Sequence, residues 1–203
     1  MKLILFFFVV LSCGRTVVTE KSSFPDNNIS PVESEVLTKA LKRIQAEFDT
    51  QKIKVKLNSV PYHVNDLPGA MAGACYKMGS NVVGIAIDHE MFDDAEWDDG
   101  EYPLLFKVLL HEIGHCFFNR KHDEKYIKAD EGFEFEVDYY GSGEPWRDQS
   151  LQVSIMSEMG WYRIPPKLWP YFLREVARKD RLQKWEDMKK YIPISRVPKP
   201  IPN

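Results

Sequence analysis

Apolar side chains recur at helical spacing near both ends of the chain. The first such stretch begins at Pro31, where Ser30 and Glu33 fit a capping box. Its apolar stripe consists of Val36, Leu37, Ala40, Leu41, Ile44 and Phe48. The last stretch begins at about Lys167, and its stripe consists of Leu168, Phe172 and Val176. This spacing predicts an N-terminal helix and a C-terminal helix, each with one buried face.

Between these helices the apolar positions follow the pattern of β-strands. Lysines alternate with Ile53, Val55 and Leu57, as in a strand with one buried face. A second strand is expected within residues 69–77, and the apolar run Val82–Ile87 predicts a third. Helices and strands together predict an α+β fold.

The composition describes an ordinary globular chain. It has 203 residues, a hydrophobic fraction of 44% and a net charge of −3, which suits one domain with its own core. We expect that domain to span residues 31–203, with a polar, acidic loop region at 123–150 and an extended, proline-rich tail from Pro193. Because the basic residues are interleaved with acids, we expect no nucleic-acid partner. We also expect a monomer.

The first residues have the features of a signal peptide. Lys2 supplies positive charge, and the apolar run Leu3–Leu11 is too short for a membrane-spanning helix, which needs about 20 residues. The run ends at Cys13 in a sequence that resembles the lipobox of bacterial lipoproteins, whose cysteine is acylated. We therefore expect residues 1–12 to be a signal peptide, and residues 13–30 to tether an exported domain to a bacterial cell envelope through lipid on Cys13.

Two alternatives remain open at this end of the chain. The protein could be secreted, with Cys13 incidental or removed. The sequence Asn28-Ile29-Ser30 is a formal glycosylation sequon, which keeps a eukaryotic secreted protein open, although Pro31 follows it directly.

A helical stretch in the middle of the chain carries a metal-binding pattern. It begins near Pro103, and its apolar stripe consists of Leu104, Leu105, Val108, Leu109, Ile113 and Cys116. His111 and His115 lie one turn apart on one helix face, so their imidazoles can bind one ion. Glu112 is offset by about 100° of helix rotation. Its carboxylate can therefore stand beside the ion and accept a proton from a water there.

Beyond His115 the sequence resembles the metzincin metallopeptidases, whose motif is His-Glu-x-x-His-x-x-Gly-x-x-His. The glycine position falls on Phe118 and the third histidine position on Lys121, and neither residue fits. We interpret the mismatch as one residue inserted in the last helical turn. Asn119 tolerates the left-handed conformation that the family glycine adopts, and His122 follows Asn119 at the family spacing. The resemblance thus implies His122 as the third zinc ligand.

Other residues could complete the site instead of His122. Asp123 is its neighbour, and His122 itself could be a solvated loop residue. In a gluzincin arrangement a later helix supplies a glutamate ligand. The candidates for it are Glu131, Glu134 and Glu136. Phenylalanines alternate with the last two acids, which indicates an extended segment instead of a helix.

The sequence Ser154-Ile155-Met156 lies 34 residues after His122 and resembles the methionine turn of the metzincins. The resemblance implies that Met156 packs beneath the zinc as an apolar floor. The alternative is an ordinary core methionine, because Met fills irregular gaps well.

The resemblance covers roughly residues 31–180 and implies both a fold and an activity. The fold is a small mixed sheet with a backing helix and an active-site helix, followed by the methionine turn and a C-terminal helix. An edge strand of the sheet pairs with extended substrate, and Val82–Ile87 is our candidate for it. The implied activity is that of a zinc-dependent endopeptidase acting on a protein or peptide, with Zn2+ as cofactor. The alternative is a surface lipoprotein that works as a binding module and retains a structural zinc.

Two cysteines remain after Cys13. In an exported domain the pair Cys75 and Cys116 favours a disulfide between the strand region and the metal-binding helix. The alternatives are two free buried thiols, or Cys75 as an inhibitory zinc ligand.

Overall fold

In the computed structural model, groups of strands lie between the helices along the chain. The structure describes residues 29–69, 71–78, 80–92, 103–123, 126–137, 146–157, 168–178 and 184–199. The helices are α1 (Pro31–Thr50), α2 (Pro103–Phe118), α3 (Trp169–Arg178) and α4 (Trp185–Met188). The strands are β1 (Tyr62–Asn65), β2 (Gly73–Met78), β3 (Asn81–Asp88), β4 (Tyr126–Lys128), β5 (Phe133–Val137), β6 (Trp146–Asp148), β7 (Ser150–Gln152) and β8 (Ile194–Pro198). The chain is therefore α+β, as predicted.

The three long helices lie where the hydrophobic periodicity predicted them. At the start of α1 the Ser30 hydroxyl accepts a hydrogen bond from the Glu33 amide at 3.2 Å, and the Glu33 carboxylate accepts one from the Ser30 amide at 2.7 Å. This is the predicted capping box, which satisfies two amide groups that a helix start would otherwise leave unbonded. The predicted stripes of α1 and α3 are buried at Leu37, Ile44, Phe48, Phe172 and Val176.

A mixed sheet of three strands lies beside α2, and its strand order corrects one prediction. β3 is the central strand, parallel to β1 and antiparallel to β2. The run Val82–Ile87 belongs to β3 and cannot be the edge strand. A continuous apolar run is typical of a strand enclosed by neighbours, and we had assigned it to an edge. The edge strand that contacts α2 is β2.

The prediction of a strand at residues 52–57 is wrong. Ile53 and Leu57 are buried, as their alternation with lysines indicated, but the segment is irregular and ends in a short 3₁₀-helix. Its backbone is bonded by a side chain of α1. The Gln45 amide group donates to the Val55 carbonyl and accepts from the Leu57 amide, both at 3.0 Å. The alternation of apolar residues and lysines thus predicted which side chains are buried. It did not predict the backbone hydrogen bonds of this segment, which are made to a side chain of α1 instead of to another strand.

The region 123–150, predicted as a loop, contains short strands. β4 pairs with β7, and β5 lies between β6 and β8 in a second three-stranded sheet. The Phe133–Val137 segment is extended, as predicted. The proline-rich end is also extended, but Ile194–Pro198 pairs with β5 instead of forming a free tail.

Buried side chains of α1, α2, α3 and β3 form one hydrophobic cluster, which includes Phe48, Ile85, Leu109 and Phe172. Within the described ranges, no helix is long and apolar enough to cross a membrane. Cys13 and residues 1–28 lie outside the described residues, so the signal peptide, the lipid anchor and the tether stay predictions.

Candidate metal centre

Three histidine side chains converge between α2 and the loop that follows it. The Nε2 atom of His115 lies 3.0 Å from Nε2 of His111 and 3.0 Å from Nε2 of His122. His111 and His115 are buried, at 2% and 5% exposure, and His122 is half-buried. Their ligand atoms all lie within 4.8 Å of one another, as a shared metal ion requires. The structure thus brings together the three histidines that the sequence predicted.

The histidines of α2 are oriented by backbone carbonyls. His111 Nδ1 lies 2.8 Å from the Ile155 carbonyl oxygen, and His115 Nδ1 lies 2.8 Å from the Arg120 carbonyl oxygen. Because a carbonyl oxygen only accepts hydrogen bonds, each Nδ1 must carry the hydrogen. The Nε2 lone pair of each ring then faces the cluster, which is the usual arrangement of a metal-binding histidine.

The charge state of the rings also suits a metal ion. Burial lowers the pKa of His115 to about 4 and holds the pKa of His111 well below its ordinary value of 6.5. Both rings are therefore neutral at pH 7. Two nitrogens on a tetrahedral ion at 2.0–2.1 Å would lie about 3.3 Å apart, close to the observed 3.0 Å. The donor set and its spacing fit a metal ion such as Zn2+, whereas Mg2+ and Ca2+ prefer oxygen ligands.

The backbone at the end of α2 explains how His122 reaches the other two histidines. Asn119 has a φ of +49°, the left-handed conformation predicted for it. The Arg120 amide then donates back to the Gly114 carbonyl at 2.9 Å, which closes the end of the helix. Further on, the Asp123 amide donates to the Met156 carbonyl at 3.0 Å. The chain on both sides of His122 is thus fixed by backbone hydrogen bonds.

Met156 packs directly against α2. A Cβ atom added at Gly114 would lie 2.5 Å from Met156 Sδ and 2.7 Å from a methyl group of Val176. Gly114 lies in the helical turn between His111 and His115, so only the absence of a side chain there allows this close approach. Met156 is therefore a fully buried residue in contact with the histidine-bearing turn.

Glu112 faces the edge strand β2. The Glu112 side chain is fully buried, and its Cγ would lie 2.9 Å from a Cβ atom added at Gly73. Tyr76, further along β2, has a raised pKa because of burial and because of the negative charge of Glu112. Neither Gly73 nor Tyr76 was predicted as a residue of the site. The only available signal was a glycine within a strand, which often marks a close approach of two backbones.

The acids considered as alternatives to His122 do not join the group. The cluster of candidate ligand atoms contains His122 and none of Asp123, Glu131, Glu134 or Glu136. Glu134 and Glu136 lie on β5, which is extended and pairs with β6 and β8. The helix that a gluzincin glutamate requires is thus not formed by this segment.

A disulfide joins Cys75 of β2 to Cys116 of α2, with Cα atoms 5.6 Å apart. The predicted pairing is confirmed. Cys116 follows His115 directly, and Cys75 lies two residues after Gly73, so the bond connects the edge strand to α2 near Glu112.

Comparisons of the chain with protein-family models, with curated proteins and with solved structures find no match. The fold and the site themselves define the class: an α+β protein with three histidines that could hold one metal ion.

Proposed function

We propose that the protein is a zinc-dependent endopeptidase of metzincin-like architecture. The observation that carries the proposal is the combination of three converging Nε2 atoms with a buried glutamate on the same helix. His111, His115 and His122 supply three nitrogen ligands, which leaves a tetrahedral ion one open position, as in catalytic zinc sites. A purely structural site has four protein ligands and no need of Glu112.

The chemistry divides between the ion and Glu112. When bound, Zn2+ polarises the scissile carbonyl and makes a water molecule easier to deprotonate. The Glu112 carboxylate accepts the proton of the attacking water as the carbon–oxygen bond forms. It then donates that proton to the leaving nitrogen as the carbon–nitrogen bond breaks. Burial of Glu112 against Gly73 restricts the movement of its side chain.

The position of β2 supports an extended peptide as substrate. β2 is an edge strand of its sheet, contacts α2 and passes Glu112 at Gly73. A peptide added to its outer edge, which pairs with no other strand in the described part of the chain, would form main-chain hydrogen bonds with β2 close to Glu112. This assigns to β2 the substrate-pairing role that we first expected for Val82–Ile87.

The test is hydrolysis of a mixed peptide library by the wild type and by Glu112→Ala. We expect both proteins to bind one Zn2+, because Glu112 is not a ligand. We expect cleavage by the variant to fall by about 10²- to 10⁴-fold, the usual effect of losing a general base. A chelator should abolish wild-type cleavage, and added Zn2+ should restore it.

Glu134→Ala is the matched control, since Glu134 lies on β5 and is not part of the histidine cluster. It should retain both zinc and activity, and loss of zinc from it would favour the gluzincin arrangement. Wild-type cleavage retained by Glu112→Ala would refute the role of Glu112. A zinc-loaded wild type that cleaves no peptide would support the binding-module alternative.

A further inference from the structure

A buried ion pair connects α3 to both segments that orient the histidines. The Glu175 carboxylate, on α3, is fully buried and lies 2.6 Å from the Arg120 guanidinium. The same guanidinium donates to the Glu175 and Val176 carbonyls at 2.6 and 3.1 Å. Buried ion pairs are costly to desolvate and add little net stability. The further hydrogen bonds of the Arg120–Glu175 pair indicate a role other than stabilising the fold.

The Glu175 carboxylate also binds the methionine-turn segment. Its Oε1 accepts from the Ser154 hydroxyl at 3.0 Å, and its Oε2 accepts from the Ile155 amide at 3.2 Å. The Ser154 hydroxyl oxygen in turn accepts from the Met156 amide at 3.1 Å. One carboxylate therefore fixes the backbone of this turn and the side chain that follows α2.

The residues held by Glu175 are the ones that orient the metal ligands. The Ile155 carbonyl accepts from His111 Nδ1, and the Arg120 carbonyl accepts from His115 Nδ1. The neighbouring Met156 carbonyl accepts from the Asp123 amide, next to His122.

We propose that Glu175 is a positioning residue of the metal centre, which orients its histidines through Ile155 and Arg120 without touching the ion. This inference rests on the proposed metal binding. Groups that orient metal ligands through such hydrogen bonds contribute about 10- to 100-fold to metal affinity.

The informative substitution is Glu175→Gln. An amide has one acceptor oxygen, so the side chain can still accept from Arg120 and Ser154 but presents an NH2 group to the Ile155 amide. We expect its Zn2+ dissociation constant to rise by about 10- to 100-fold. We also expect a changed visible spectrum of the Co2+-substituted protein, because the His111 ring loses its fixed orientation.

The matched control is Tyr171→Phe. Tyr171 lies one turn before Glu175 on α3, and its buried hydroxyl donates to the Val153 carbonyl. This variant also loses a buried hydrogen bond between α3 and the same segment, but it leaves the Ile155 and Arg120 contacts intact. We expect wild-type Zn2+ affinity and a wild-type Co2+ spectrum from it.

A second variant separates positioning from folding. Glu175→Ala would leave a buried arginine without its carboxylate and is expected to unfold the chain. Replacing Arg120 and Glu175 together by methionine removes both charges, a change that proteins often tolerate. We expect this double variant to fold. We also expect its Zn2+ affinity to be at least 10-fold lower than that of the wild type, because the Ile155 amide has lost its acceptor.

The outcomes are distinct. Wild-type Zn2+ affinity and an unchanged Co2+ spectrum in Glu175→Gln would overturn the positioning role and leave the proposed function standing. Wild-type affinity in a folded double variant would do the same. A wild-type protein that binds no Zn2+ would overturn the proposed function and this inference with it.

Discussion

The chemistry of the centre depends on which ring nitrogen of each histidine carries the hydrogen. Two backbone carbonyls hold Nδ1 of His111 and His115, so the Nε2 lone pairs face each other at 3.0 Å. Lone pairs this close repel unless a cation lies between them. Because burial disfavours protonation of both rings, a metal ion is the cation that this arrangement suits.

The same burial predicts a pH-dependent stability for the metal-free protein. The pKa of His115 is about 4 in the folded state and about 6.5 when unfolded. Between these values the unfolded chain binds more protons, so the free energy of unfolding should fall as the pH is lowered from 6.5 to 4. Each such histidine contributes at most about 1.4 kcal/mol per pH unit. Urea unfolding of chelator-treated protein across this range measures the effect.

The His115→Gln variant isolates the contribution of that ring, and its stability should depend less steeply on pH than that of the wild type. The comparison with the wild type is needed because the contribution of His89 to the free energy of unfolding changes with pH in the opposite direction. Its hydrogen bond to Glu33 raises its pKa, so its contribution is lost as the pH rises. Equal pH dependence in His115→Gln and the wild type would contradict the assigned cause.

The close contact at Gly114 predicts an energetic coupling between α2 and Met156. In Gly114→Ala the new methyl group would meet Met156 Sδ at 2.5 Å, and we expect overpacking to cost about 1–3 kcal/mol. Met156→Ala removes that obstacle, so the double variant should be more stable than the sum of the two single changes predicts. Urea unfolding of the four proteins gives the coupling energy, and strictly additive losses would show that the two residues do not meet.

At the scale of elements, the helices were predictable and the strand partners were not. A capping box and a 3.6-residue period are local features, so α1, α2 and α3 could be located from the sequence alone. Strand pairing joins distant segments, and this is why the central position of β3 and the pairing of β5 with β8 were missed. The wrong prediction for residues 52–57 has the same cause. Their backbone forms hydrogen bonds with the Gln45 side chain instead of with a neighbouring strand.

The disulfide is the element-scale feature with the clearest stability prediction. It closes a loop of 41 residues between Cys75 and Cys116, and a loop of that size corresponds to about 4 kcal/mol in the chain-entropy model. Replacing both cysteines by alanine should lower the free energy of unfolding by about this amount. Reduction of the wild type should produce a similar loss. Two reactive thiols in the denatured, unreduced wild type would contradict the bond itself.

At the scale of the molecule, the centre is assembled from four separate parts of the chain. The convergence of His111, His115 and His122 was predictable, because the three histidines lie within one short stretch of the chain whose helical spacing places them together. The contributions of β2, of residues 154–156 and of α3 were less predictable. Ser154-Ile155-Met156 resembled a known turn, whereas nothing local marks Gly73 or Glu175. Glu175 lies 55 residues from its partner Arg120, and only the folded chain brings them together.

The most direct test of this assembly is X-ray absorption spectroscopy of the zinc-loaded wild type, with His122→Ala for comparison. We predict three imidazole nitrogens and one further light atom at about 2.0–2.1 Å from the ion. In His122→Ala we predict two imidazoles and weaker binding. Two imidazoles in the wild type, or an unchanged spectrum in the variant, would contradict a centre built from His111, His115 and His122.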